Sequence, residues 1–241
     1  MLYIKDLIVS IDNQLILHNI NLFVNKGEIH VILGKNGSSK SSLLNTIIGN
    51  EDYKINNGSI TFCDVNINNI PMYQRSLMGI FLAFQNPVSI PNISVIDFIK
   101  EILKEHYAFN KIPQLSVVDF NKKLNEKVEL LGYNKTLLYR SINENFSGGE
   151  KKMTELLQML MIDPKLILLD EIDSGVDINT IKHICDVLKS FLNNDKACII
   201  VTHNLSLFEY INPDYVHVIQ NGKFIKTGNK NIIDNIKKNG L

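Results

Sequence analysis

From Leu2 to about Val24, apolar residues come in short runs broken by turn formers. The runs are Leu7-Ile8-Val9, Leu15-Ile16-Leu17 after Asp12-Asn13, and then Ile20 to Val24. The period is close to two, which predicts antiparallel strands with one buried face. Asn25-Lys26-Gly27 reads as a turn. Ile29-His30-Val31-Ile32-Leu33 is nearly unbroken apolar sequence, as expected of a strand covered on both sides. It stops at Gly34, and Ser42 to Ile48 follows as a helix ended by Gly49. Asn56-Asn57-Gly58 predicts a hairpin turn between strands.

From about Val95 to Leu138 the spacing becomes helical, with Ile96, Ile99, Ile102 and Leu103, then Val128, Leu131 and Leu138. A helix from Glu150 is expected next, then a strand over Leu166 to Leu169 that ends in two acids, Asp170 and Glu171. A helix from about Ile178 to Leu192 and a strand over Ala197 to Val201 come after it. A last strand pair, Tyr215 to Ile219 and Phe224-Ile225, flanks the turn Asn221-Gly222. The tail from Asn229 to Lys238 reads as an amphipathic helix with a solvated polar face. The pattern predicts an α/β protein with a sheet core, an antiparallel β subdomain and a helical subdomain. One domain is expected over 1–241, with its core in 1–90 and 145–241 and the helical part over about 91–144.

Composition narrows the class. Hydrophobic residues make up 45% and charged residues 21% of the chain, ordinary for a globular protein. No apolar run approaches the roughly 20 residues needed to span a bilayer, so no direct membrane insertion is expected. The start, Met1-Leu2-Tyr3-Ile4-Lys5-Asp6, reads as a first strand and not as a signal peptide. A cytoplasmic location is expected, with a plastid stroma as the alternative. Twenty-five basic residues balance twenty-five acidic ones, which disfavours nucleic acid as a partner. Cys63, Cys185 and Cys198 are scattered without metal-ligand spacing and read as free thiols.

The chemistry sits at three places. Gly34-Lys35-Asn36-Gly37-Ser38-Ser39-Lys40-Ser41, with Ser42 opening the helix, has the strand–loop–helix layout of a phosphate loop. Backbone amides would wrap a β-phosphate, Lys40 would reach the β and γ oxygens, and Ser41 would offer a hydroxyl to magnesium. The usual pattern has glycine immediately before the lysine, where this chain has Ser39. Its Cβ sits where backbone and phosphate approach closely, while helical φ/ψ at a helix start would tolerate the side chain. Phe146-Ser147-Gly148-Gly149-Glu150 is a donor nest at a helix start, suited to a terminal phosphate. The strand Leu166 to Glu171 offers one carboxylate to a magnesium shell and one to a water.

These segments, with Gln85 after the loop and His203 at the end of Ile199-Ile200-Val201-Thr202, resemble the ABC-type ATPase fold along the whole chain. Asp170-Glu171-Ile172-Asp173-Ser174-Gly175, Phe146 to Lys152, Gly79 to Gln85 and Pro213 to Val218 are similar to the SufC family, the ABC ATPases of Suf iron–sulfur cluster assembly.

The resemblance implies ATP and Mg²⁺ as cofactors, the metal shell being supported by Ser41, Gln85 and Asp170. It implies Glu171 as the base that orients water, with His203 bridging that water and the γ-phosphate. Ser147, Gly148, Gly149 and Glu150 would complete the phosphate site of a second copy, with Asp177 at the same seam of a transient ATP-dependent homodimer. SufB- and SufD-like scaffold proteins are the implied partners, contacted near Gln85 and the helical insertion. Lys151 and Lys152 read by default as a solvated pair. Alternatively, Lys152 pairs with Glu171 or Asp173 and holds the base away from the site. An aromatic residue that often stacks on adenine in this family is replaced by Ile11. Two other readings stay open: the ATPase subunit of a membrane importer, and a weakly hydrolysing or non-hydrolysing interaction module in which Ser39 disables the loop.

Overall fold

The computed structural model describes residues 1–233 and 236. Strands β1 (Leu2–Ile11) and β2 (Gln14–Val24) form a long antiparallel hairpin across Asp12 and Asn13, both at positive φ. The short runs seen in sequence are thus parts of two continuous strands, interrupted by bulges at Asp6 and Asn19, which also have positive φ. Strand β3 (Ile29–Leu33) leads into α1 (Lys40–Ile48), which Gly49 ends in the left-handed conformation.

Strand β4 (Lys54–Phe62) corrects one expectation, because Asn56-Asn57-Gly58 lies inside it and not at a turn. Gly58 has φ 88, and a Cβ there would run into the backbone of Lys5 and Asp6 on β1. The glycine marks a bulge where two backbones meet. The reversal falls instead at Cys63 and Asp64, ahead of the short β5 (Val65–Asn66).

Helix α2 (Met72–Leu77) and strand β6 (Ile80–Ala83) precede the helical insertion. The insertion holds α3 (Val95–Phe109) and α4 (Val117–Leu130), capped by the hydroxyls of Ser94 and Ser116. Its neck is closed by backbone bonds: Ile90 N–H to Ile142 O at 3.1 Å, Ile142 N–H to Ile93 O at 2.9 Å and Val95 N–H to Arg140 O at 3.1 Å. Helix α5 (Gly148–Ile162) starts two residues earlier than expected, at a capping box in which Ser147 and Glu150 satisfy each other's backbone N–H groups. Strand β7 (Leu166–Asp170), α6 (Ile178–Phe191), β8 (Ala197–Thr202), β9 (Tyr215–Gln220) and β10 (Lys223–Gly228) complete the order.

Two sheets result. The first has the order β2-β1-β4-β5 and is antiparallel. The second has the order β10-β9-β3-β8-β7-β6, parallel except for the β9–β10 hairpin. Alternate residues of its central strands feed two cores. Val31, Leu33, Ile167 and Leu169 pack with the helices of the insertion, α5 and α6. Ile32, Leu166 and Leu168 pack with α1 and the antiparallel sheet. This two-sided burial is why β3 and β7 read as unbroken apolar runs. The tail is helical at residues 231–233 and 236, and Ile232, Ile233 and Ile236 bury into the first core rather than leaving the segment merely solvated. The remainder of the tail helix expected up to Lys238 lies outside the described residues.

Candidate active site

Every loop of this site leaves the carboxyl end of a parallel strand, where open α/β sheets place their ligands. After β3, Gly34 packs so tightly that an added Cβ would run into Ser38 Oγ and the Ile219 carbonyl. The Lys40 ammonium folds back to donate to the Gly34 and Lys35 carbonyls at 2.9 and 3.0 Å. Burial pushes its pKa down, against the opposing pull of Glu171 and Asp170. Ser39 has φ 74 and ψ 26, a left-handed conformation, and not the helical one expected at this position. The missing glycine is therefore a matter of backbone conformation as well as of space.

The ends of β7 and β8 supply the acids and the imidazole. Ser41 Oγ donates to Asp170 Oδ1 at 2.9 Å, and burial raises the Asp170 pKa. Glu171, also at positive φ, is buried among three partners. Gln85 Nε2 donates to its Oε2 at 2.8 Å, His203 Nδ1 lies 3.1 Å from Oε1, and Lys40 Nζ lies 3.7 Å from Oε1. Asn36, Gly37, Ser39, Lys40, Ser41, Ser42, Gln85 and Glu171 line one cavity of 340 Å³. Lys35, Asn36 and Ser38 also face a neighbouring cavity of 220 Å³ beside Asn221. Ser41 and Gln85 line the first cavity, and Asp170 lies behind it against the Ser41 hydroxyl; a hydroxyl, an amide carbonyl and a carboxylate are oxygen donors of the kind a hard divalent cation takes. The fit is further supported by a buried carboxylate whose one hydrogen-bonded oxygen is held by a hydroxyl.

The structure does not bring the second group of predicted residues to this place. Ser147, Gly148, Gly149 and Glu150 line a different cavity of 740 Å³, together with Gly175, Val176 and Asp177. The two cavities share no residue. Asp177 caps α6, accepting from the Asn179 and Thr180 amides at 2.9 and 3.1 Å.

Lys152 departs from both sequence readings. It is buried rather than solvated, and it pairs with neither Glu171 nor Asp173. Its ammonium donates to the Phe84 and Gln85 carbonyls and lies 3.6 Å from Glu155 Oε2. Asp173 instead accepts from the Thr202 hydroxyl at 3.0 Å. The reason is position: Lys152 sits one turn along α5 from Glu155, closer than any acid of the β7 end. Glu155 was missed by sequence reasoning, although the Lys152/Glu155 spacing was a readable signal. Burial pushes its pKa up to about 7. Arg75, which donates to the Ile70, Thr46, Ile47 and Asn68 carbonyls and so ties α1 to α2, had no signal in the sequence.

Fold and site together define an ATP-binding cassette ATPase: a phosphate loop, a glutamine, an acid pair and a histidine converge, while a separate glycine nest faces outward. The sequence profile of the family described as "ABC transporter" matches residues 17–174. An ATP-binding cassette solved as a dimer in a post-hydrolysis state with ADP and Pi superposes with a TM-score of 0.81. That pair is 21% identical, over 95% of this chain and 98% of the other. A protein of Escherichia coli (strain K12) named "Probable ATP-dependent transporter SufC" is 40% identical over 240 residues, covering 100% of this chain and 97% of its own length. The "Iron-sulfur cluster assembly protein SufC" of Plasmodium berghei (strain Anka) is 40% identical over 225 residues, 93% of this chain and 62% of its own length. The chain belongs to the SufC family of ABC ATPases.

Proposed function

We propose that the protein hydrolyses ATP between two copies of itself and so drives conformational change in a scaffold complex that assembles iron–sulfur clusters. The observation that carries this reading is the separation of the two cavities. One chain holds a phosphate loop and a base in the first cavity and a donor nest in the second, so neither is complete without another copy. The iron–sulfur part rests on the relatives' names, and SufB- and SufD-like proteins are the partners it suggests.

In this reading the loop amides and Lys40 hold the β- and γ-phosphates. The α5 N-terminus of the other copy, with Ser147, Gly148 and Gly149, directs N–H groups at the γ-phosphate, where negative charge develops. Asp177 of each copy lies at the seam. Mg²⁺, held by Ser41, Gln85 and Asp170, would neutralise phosphate charge. Glu171 orients the attacking water and accepts its proton, and its present contacts with Gln85, His203 and Lys40 must loosen to admit that water. His203 then holds the Glu171 carboxylate and the water in line. Displacement of the γ-phosphoryl group yields ADP and phosphate.

Glu171→Gln keeps the shape and removes the base. Turnover should fall by about 10²-fold or more while ATP stays bound. With MgATP the variant should run as a dimer in size-exclusion chromatography with light scattering. A tightly ATP-loaded monomer, or full turnover, would end the two-copy reading. Affinity purification of the native protein should bring down scaffold subunits without lipid. Recovery with an integral membrane partner would favour the importer reading instead.

A further inference from the structure

The Phe84–Gln85 backbone is held at both ends by one helix. The Phe84 N–H donates to Glu155 Oε1 at 2.8 Å, and the Phe84 carbonyl accepts from Lys152. Lys152 also donates to the Gln85 carbonyl at 3.2 Å. Both side chains are almost wholly buried, 4% exposed for Lys152 and 5% for Glu155. They lie on α5 one and two turns after Gly148-Gly149. The next link is the Gln85 side chain, which reaches Glu171 at 2.8 Å. An unbroken chain of contacts therefore runs from the outward-facing glycine nest to the acid of the other cavity, within one copy.

A buried ion pair is a weak way to stabilise a fold, because desolvation offsets most of the attraction. A well-packed apolar pair would fill the same space. What an apolar pair could not do is hold a peptide N–H and its carbonyl at once. Among the described residues Glu155 Oε2 makes no hydrogen bond and has only the Lys152 ammonium 3.6 Å away, so the hydrogen bond this carboxylate does accept is the one from the Phe84 N–H.

We propose that Lys152 and Glu155 are positioning residues that clamp the Phe84–Gln85 backbone to α5, so that Gln85 and the glycine nest move as one body. Displacement of the nest on meeting a second copy is then felt at Gln85 and Glu171. A pull on the exposed Phe84 and Val88 by a partner is felt at the nest. The proposal rests on the reading above in taking Gln85 as a metal ligand and the glycine nest as the face that meets a second copy. A surviving Glu171→Gln activity would remove Glu171 from the chemistry without touching this coupling.

The test is a double-mutant cycle of Glu155→Leu and Gln85→Ala, with kcat, metal-free nucleotide affinity and the half-saturating Mg²⁺ concentration measured for each. Glu155→Leu should lower kcat about tenfold and raise half-saturating Mg²⁺ about fivefold, with nucleotide affinity within about twofold. The double variant should resemble either single one, since both break the same chain. An additive loss of about a hundredfold, or an unmoved Mg²⁺ requirement, overturns the proposal. Should Glu155→Leu fail to fold, Glu155→Gln and Lys152→Met carry the same test. Glutamine keeps an acceptor for the Phe84 N–H and should retain at least about a third of kcat. Lys152→Met should shift the Mg²⁺ requirement and be non-additive with Gln85→Ala. An inactive Glu155→Gln at normal stability, or additive behaviour of Lys152→Met, rejects the clamp.

Discussion

Ser39 stands at φ 74 immediately before the lysine of the phosphate loop. A side chain in the left-handed region costs about 1 kcal/mol or more, which glycine does not incur. The loop keeps this conformation because Lys40 draws the Gly34 and Lys35 carbonyls inward beneath it. Ser39→Gly removes both the strain and the Cβ that stands where phosphate must approach. Nucleotide affinity should rise by up to about fivefold, the equivalent of about 1 kcal/mol, because the Cβ no longer crowds the phosphate. Fold stability should change little, because glycine's extra freedom in the unfolded chain offsets the relief. Titration calorimetry checks this, and an unchanged or weaker affinity counts against it. The sequence pattern located the loop but attributed the missing glycine to crowding alone. The pattern also did not show that the loop closes against Ile219 on β9, where an added Cβ on Gly34 would meet the Ile219 carbonyl.

At the scale of elements, the β3–β9 contact buries two histidines within a polar row that periodicity did not anticipate. Glu28 Oε2 lies 3.0 Å from His30 Nε2, His30 Nδ1 lies 2.9 Å from His217 Nε2, and His217 Nδ1 lies 3.0 Å from the Thr227 hydroxyl. With Glu28 accepting, every group in the row is satisfied when both imidazoles are neutral, which assigns the tautomers from the network. Burial, then the neighbouring His30, pushes the His217 pKa down to about 3 from its ordinary 6.5. Burial also lowers the His30 pKa, against Glu28 and Asp214. A depressed histidine contributes stability that is present above its unfolded pKa and lost as pH falls towards the folded one. The melting temperature should therefore fall between pH 6.5 and about 3, and His217→Gln should flatten that limb. An equally steep fall in the variant would acquit this histidine.

Other elements divide the same way. Strands β3 and β7, the helix after the loop and the closing hairpin were legible because burial on two faces or one leaves a clear period. The Asn56-Asn57-Gly58 turn was misread, because an identical tripeptide serves a hairpin or a bulge according to what lies across the strand.

For the whole molecule, the decisive feature is that the phosphate-loop cavity and the glycine-lined cavity of one chain are separate. Gly148 opens α5 against the loop carrying Asp177, and a Cβ there would stand 2.9 Å from the Gly175 carbonyl. Gly148→Ala must therefore displace that loop while leaving the phosphate-loop cavity of the same chain untouched. A single copy should bind nucleotide with affinity within about twofold of wild type, whereas ATP-dependent dimerisation and turnover should fall about tenfold or more. Light scattering with Glu171→Gln as the background measures the first loss, and a phosphate-release assay in the wild-type background measures the second. A Gly148→Ala protein that dimerises normally would remove the glycine nest from the seam.

By itself the sequence indicated most of the strands and helices and located the phosphate-loop segment, the acid pair, the histidine and the glycine pair along the chain. Those features are local, written in periodicity and in residue types that few other roles require. Only the tertiary structure decided which residues meet. It gave Lys152 to Glu155 and the Phe84 peptide, gave Asp173 to Thr202, and set the left-handed turn at Ser39. Each of these depends on distances between segments far apart in the chain, and a one-dimensional pattern carries no distance across space.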